Sequence, residues 1–190
     1  MRKVAILLVF LCFSSGAWSQ VINFGKTLPI RAYSLTLAPI YNAKDNPFHP
    51  EARGVSGMIM GGYGLKYDLD LEVKYAYFHG DAPDMFAAEL QYLFRETRRN
   101  YYSIHGGVHK WKEFGLDGTF SFTYTPNYDV NLSAGVDIDV DITEFELRAW
   151  IPLNIGFNID DRYFLFLEYD MPATERAWDI FGGGVTFIFR

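Results

Sequence analysis

Apolar and polar residues alternate with a period of two along almost the whole chain, and this pattern predicts strands with one greasy face. The segments run from Arg31 to Tyr41, Val55 to Tyr67, Leu69 to His79, Phe86 to Arg95, Tyr101 to Trp111, Leu116 to Thr125, Val130 to Val140, Thr143 to Asn158, Tyr163 to Asp170 and Ile180 to Arg190. The connections differ in character. Asp68-Leu69-Asp70, Glu96 to Asn100, Pro126 to Asp129 and Ile159 to Arg162 are short, whereas Asn42 to Gly54 and Met171 to Trp178 are longer and rich in proline and charge. The chain reads as all-β: a closed antiparallel up-and-down transmembrane barrel of about 8–10 strands, with short turns on the periplasmic side and longer loops outside.

The stretch from Phe145 to Phe157 gives this reading a length. Phe145, Leu147, Ala149, Ile151, Leu153, Ile155 and Phe157 share one face, opposite Glu146, Arg148, Trp150, Pro152, Asn154 and Gly156. Twelve steps of about 3.3 Å cover roughly 40 Å, which a tilt near 45° reduces to just under about 30 Å of height, close to the apolar band of a bacterial barrel. Tyr41, Tyr67, Tyr77, Trp111, Tyr124, Tyr163 and Trp178 lie near segment ends, where aromatic girdles meet the lipid interface. Pro152 lacks the N–H of a ladder residue, so a bulge or an interrupted ladder is expected there. A soluble lipocalin-like barrel would alternate in the same way with its apolar face inward, and only the direction of the faces separates the two.

The N-terminus adds an address. Met1-Arg2-Lys3 and the apolar run Val4 to Phe13 precede Ala17-Trp18-Ser19, the layout of a signal peptide cleaved after Ser19. Residues 1–19 are then the export signal and residues 20–190 the barrel domain. The only cysteine, Cys12, falls within the removed segment, so disulfides do not stabilise the mature chain. Loss of Arg2 and Lys3 moves the formal charge from −6 to −8, which excludes nucleic acid as a partner.

The chain ends in Gly184-Val185-Thr186-Phe187-Ile188-Phe189-Arg190. Gly184, Phe187 and Phe189 fit the order Gly-x-x-Φ-x-Φ, which resembles the signal read by the outer-membrane assembly machinery; Arg190, after the last aromatic, is a departure from it. With the export signal and the alternation, the mature chain resembles the small outer-membrane β-barrel proteins of Gram-negative bacteria, the broad class that includes OmpX-, OmpW- and OmpA-type barrels. That resemblance implies an outer-membrane location, contact with outer-membrane lipid and handling by the assembly machinery. It does not imply an activity.

Candidate chemistry is sparse. His105 and His109 share a strand face but stand about 13 Å apart, whereas zinc ligands converge within about 2.1 Å of one ion. Ser103 is placed too far along the strand to exchange a proton with His105, and no acid is evident to orient the imidazole. Barrel lipid A deacylases carry His-x-Ser and barrel proteases Asp-x-His, and neither order is present. His49 and His79 read as loop and rim residues. The anomaly is acidic: Asp137, Asp139 and Asp141 share one face, and a turn centred at Asp141-Ile142 would oppose Asp139 to Glu144 and Asp137 to Glu146. Like charges so placed repel, and Arg148, raised carboxyl pKa values or a hard cation would relieve them. Asp137, Asp139, Asp141, Glu144 and Glu146 are therefore the candidate cation ligands.

No catalytic residue and no cofactor motif is recognisable. The expected role is a non-enzymatic barrel that engages an envelope protein partner through its loops and rim, or supports the envelope. A narrow conduit for small solutes or cations is the alternative, with luminal Glu72, Lys74, Glu89, Arg95, Glu146 and Arg148 able to pair across it. A lipid-modifying enzyme is the third class.

Overall fold

A computed structural model describes residues 24–43, 54–78, 84–110, 114–143 and 145–190. The export segment Met1 to Ser19, His49, His79, Trp111 and Glu144 lie outside them. Ten strands follow in order: β1 (Tyr33–Ala43), β2 (Gly54–Lys66), β3 (Leu69–Phe78), β4 (Met85–Glu96), β5 (Asn100–Lys110), β6 (Phe114–Tyr124), β7 (Val130–Asp141), β8 (Leu147–Asn158), β9 (Tyr163–Pro172) and β10 (Asp179–Phe189). Each pairs antiparallel with its chain neighbours, and β1 pairs with β10 to close the barrel.

The faces point as a membrane barrel requires. Leu35, Leu37, Ile59, Val73, Leu90, Ile104, Leu116, Phe120, Leu153 and Leu165 are exposed on the outside, while Thr36, Asp70, Lys74, Glu89, Ser103, Thr119 and Asp139 are buried within. A soluble barrel would have the reverse arrangement. The lumen is divided: Ile40, Met58, Met60, Met85, Trp150 and Ile180 form an apolar cluster on one side, and polar residues from β3 to β7 and from β9 fill the rest.

Three local features differ from the sequence expectation. In the turn after β7, the Asp141 N–H donates to the Glu146 carbonyl at 2.9 Å, the Thr143 N–H donates to Asp141 Oδ1, and Phe145 takes a left-handed φ of 53°. β8 therefore begins at Leu147, with Asp139 opposite Arg148 and Asp137 opposite Trp150. A two-residue turn at Asp141-Ile142 would require positive φ at a β-branched residue, and a longer turn avoids that. A register shift between Leu93 and Arg95, after the inward-facing Leu93, leaves Arg95 outside over the Tyr102 ring, so Arg95 is not luminal. Trp178 packs edge-on against Trp150, its ring centroid 5.7 Å away, instead of joining a girdle. Pro152 does interrupt its ladder. The β7–β8 pairing skips Gly135 and Val136 and resumes in the same register, with no bulge.

Candidate functional site: an acid-rich lumen

Strand alternation alone sends a column of polar side chains into the lumen, and closure brings the columns together. Near the middle, Glu72 of β3 is directly opposite Glu89 of β4. Lys74 resolves this repulsion: its Nζ lies 2.8 Å from Glu89 Oε2 and 3.9 Å from Glu72 Oε2. Toward the mouth, where β5 to β8 end or begin, Asp117 of β6 is opposite Asp139 of β7. Between these two carboxylates sits His109 of β5, with Nδ1 2.8 Å from Asp117 Oδ1 and Nε2 3.6 Å from Asp139 Oδ1. Like-charge opposition therefore exists, but across the β6–β7 ladder and not within the β7–β8 hairpin.

The sequence-derived cation candidates separate. Asp137 accepts a hydrogen bond from Thr119 Oγ1 at 2.7 Å, and Asp141 holds its turn. Glu146 binds Arg148 at 3.1 Å and also meets Arg176, while Arg148 lies 3.6 Å from Asp139 Oδ2. Among the described candidates, only Asp139 joins a group of metal-ligating side chains, and its companions are His109 and Asp117. That trio spans three strands, so it follows from register and not from spacing. His105 belongs to a second group with Glu72 and Glu89.

Ser103 and His105 are closer than their places along the strand suggest. The imidazole folds back along its own face, bringing Nε2 to 3.3 Å from Ser103 Oγ, which also accepts from Gln91 Nε2. His105 Nδ1 has no hydrogen-bond partner among the described residues, so no carboxylate orients the ring.

At the base, where β1 begins and β10 ends, residues 24–28 enter the lumen and Pro29 to Arg31 lie exposed before β1. Phe24 packs edge-on against Phe164 at 4.7 Å and Phe166 at 6.3 Å. The Gly25 N–H donates to Thr123 Oγ1, the Leu28 N–H donates to Asp70 Oδ2, and Gln91 Nε2 donates to the Phe24 carbonyl. A cavity of about 180 Å³ remains beside this segment, lined by Phe24, Leu28, Met60, Asp70, Asn131 and Phe164 among others. Lys26 lies 4.7 Å from the centre of the Tyr101 ring, and burial lowers its pKa against the opposing pull of Glu96.

The polar side of the lumen is acidic. Among the described residues, Asp70, Glu89, Asp117, Asp137, Asp139, Asp141, Glu168 and Asp170 are buried, and Lys74 is the buried lysine that faces them. The second oxygens of Asp70, Glu89 and Asp117 have no hydrogen-bond partner among the described residues. Buried carboxylates left this way call for water or cations.

The architecture matches solved outer-membrane barrels. The KdgM porin is 9% identical, with 83% of this chain and 99% of that one covered and a TM-score of 0.52. The same porin in complex with disordered oligogalacturonate gives 10%, the same coverage and the same TM-score. An outer-membrane channel from Pseudomonas putida F1 is 8% identical, with 90% of this chain and all of that one covered and a TM-score of 0.54. No protein-family model and no curated protein matches the chain. The chain thus has the fold of the outer-membrane β-barrel class. At these identities the likeness is one of architecture alone.

Proposed function

We propose that the protein is an integral outer-membrane barrel that serves as a narrow, cation-selective conduit. The observation that carries this reading is the charge of the lumen: eight buried carboxylates face one buried lysine among the described residues. Rings of carboxylates lower the energy of a cation inside a low-dielectric wall and raise that of an anion. The oligogalacturonate seen with the KdgM porin is a polyanion, and an acidic lumen would repel it, so that ligand is not carried over. Lys74, Trp150 and the segment around Phe24 restrict the passage to ions and very small solutes.

Export through the Met1 to Ser19 signal, and recognition of Gly184, Phe187 and Phe189 by the assembly machinery, would deliver the chain to that membrane. We read it as non-enzymatic. Among the described residues, Ser103–His105 lacks an orienting acid, and the His109–Asp117 pair has no hydroxyl or thiol nucleophile bonded to it.

The test is the reversal potential of single channels in a planar bilayer under a KCl gradient. A small conductance with cation preference is expected, and anion preference would overturn the proposal. Zero conductance by folded protein would favour a second reading, a barrel that acts through its rim on an envelope partner. The occupation of the lumen by Phe24 and Trp150 is the observation on that side.

A further inference from the structure

We propose that His109, Asp117 and Asp139 form a binding site for a divalent first-row transition cation of the zinc class, set in the wall of the lumen below the mouth. The ligand atoms of the three side chains lie within 4.8 Å of one another. Their side chains are almost wholly buried, at 1%, 2% and 1% exposure. His109 Nε2, Asp117 Oδ2 and both carboxylate oxygens of Asp139 have no hydrogen-bond partner among the described residues. Buried polar atoms are normally paired, and a cation placed between His109 Nε2 and Asp139 would satisfy both groups at once.

The geometry assigns the roles. Asp117 accepts from the Nδ1–H of His109, which fixes the tautomer that leaves the Nε2 lone pair free; this is the carboxylate–histidine–metal arrangement of zinc sites. Nε2 then looks toward Asp139 Oδ1 across 3.6 Å, too long for a hydrogen bond. An ion about 2.1 Å from each would subtend roughly 120° there, within the range of a tetrahedral site completed by water. Gly115, paired with His109, leaves the space that the ring occupies: a Cβ there would fall 2.2 Å from Nε2. The imidazole nitrogen selects zinc, nickel or copper over calcium, which prefers six or more oxygens. Arg148 is the opposing charge, 3.6 Å from Asp139 Oδ2, and it is shared with Glu146 at 3.1 Å. The inference does not depend on conduction.

Equilibrium dialysis of chelator-stripped barrel in detergent, against Zn²⁺ and separately against Ca²⁺, tests it. One tightly held Zn²⁺ per barrel is expected, with Ca²⁺ at least about 100-fold weaker. His109→Gln and Asp139→Asn should each weaken Zn²⁺ at least tenfold, and Asp117→Asn about 10–100-fold. Thr36→Val, on β1, should leave it unchanged. No Zn²⁺ retention by the wild type would overturn the site. Retention equal in His109→Gln would overturn it as well. Should these variants fail to show the heat-dependent gel shift of a folded barrel, the wild type answers alone. Co²⁺ should give visible absorption bands that Zn²⁺ abolishes, and absence of bands overturns the site. Channel recordings made in chelator test the conduit separately, so either idea can fail without the other.

Discussion

Lys74 Nζ lies 2.8 Å from Glu89 Oε2, with both side chains shut away from solvent, and Glu72 flanks the pair at 3.9 Å. One ammonium group thus separates two carboxylates that strand register places face to face. Lys74→Met should therefore destabilise the barrel by about 3–5 kcal/mol, because it strands buried charge. Adding Glu89→Gln should recover most of that loss. Urea unfolding midpoints in lipid vesicles read both, and a single variant as stable as wild type would refute the assignment.

The outward face makes a depth-dependent prediction. Leu153→Arg, in the middle of the β8 apolar face, should cost about 2–4 kcal/mol, and Leu147→Arg at the end of the same strand about 0–1 kcal/mol. Equal penalties in vesicle unfolding would mean that the belt is misplaced.

Gly184 packs where a side chain has no room. A Cβ would stand 2.2 Å from the Leu37 carbonyl oxygen across the closing seam. Gly184→Ala should lower the yield of heat-shifted, folded barrel several-fold, whereas Thr186→Ser two residues on should not. Unchanged assembly of Gly184→Ala would show that the seam has slack.

Phe24 should act as an obstruction. Phe24→Ala removes the edge-on contacts with Phe164 and Phe166 and opens the base of the lumen. Single-channel conductance should rise while cation preference stays, since the carboxylates are untouched. A conductance identical to wild type would place the narrowest point elsewhere, with Trp150 next in line.

The strands were legible because a membrane barrel writes its inside and outside into alternate residues. All ten segments appear, and their limits shift by about two residues except at β8. The exceptions share a cause. Ile142 could not serve a tight turn, Arg95 sits beyond a bulge, and residues 24–32 have no periodicity to read. The His109, Asp117 and Asp139 cluster was hidden for another reason: three residues on three strands meet only once pairing register is fixed, and alternation leaves register open. The repulsion inferred for Asp139 was real but belonged to Asp117, on the other side of its strand.

The seam between β1 and β10 has a consequence for biogenesis. Thr36 Oγ1 and Thr186 Oγ1 meet at 2.8 Å across a sequence separation of 150 residues, whereas every other ladder joins strands adjacent in the chain. Nine hairpin pairings can form in order of synthesis, but the tenth must wait for β10. Until then two strands present unpaired edges at once, each able to capture the edge of another molecule. Closure of this barrel therefore turns on timing, and a copy truncated within β10 is expected to keep both edges open as a template for polymerisation.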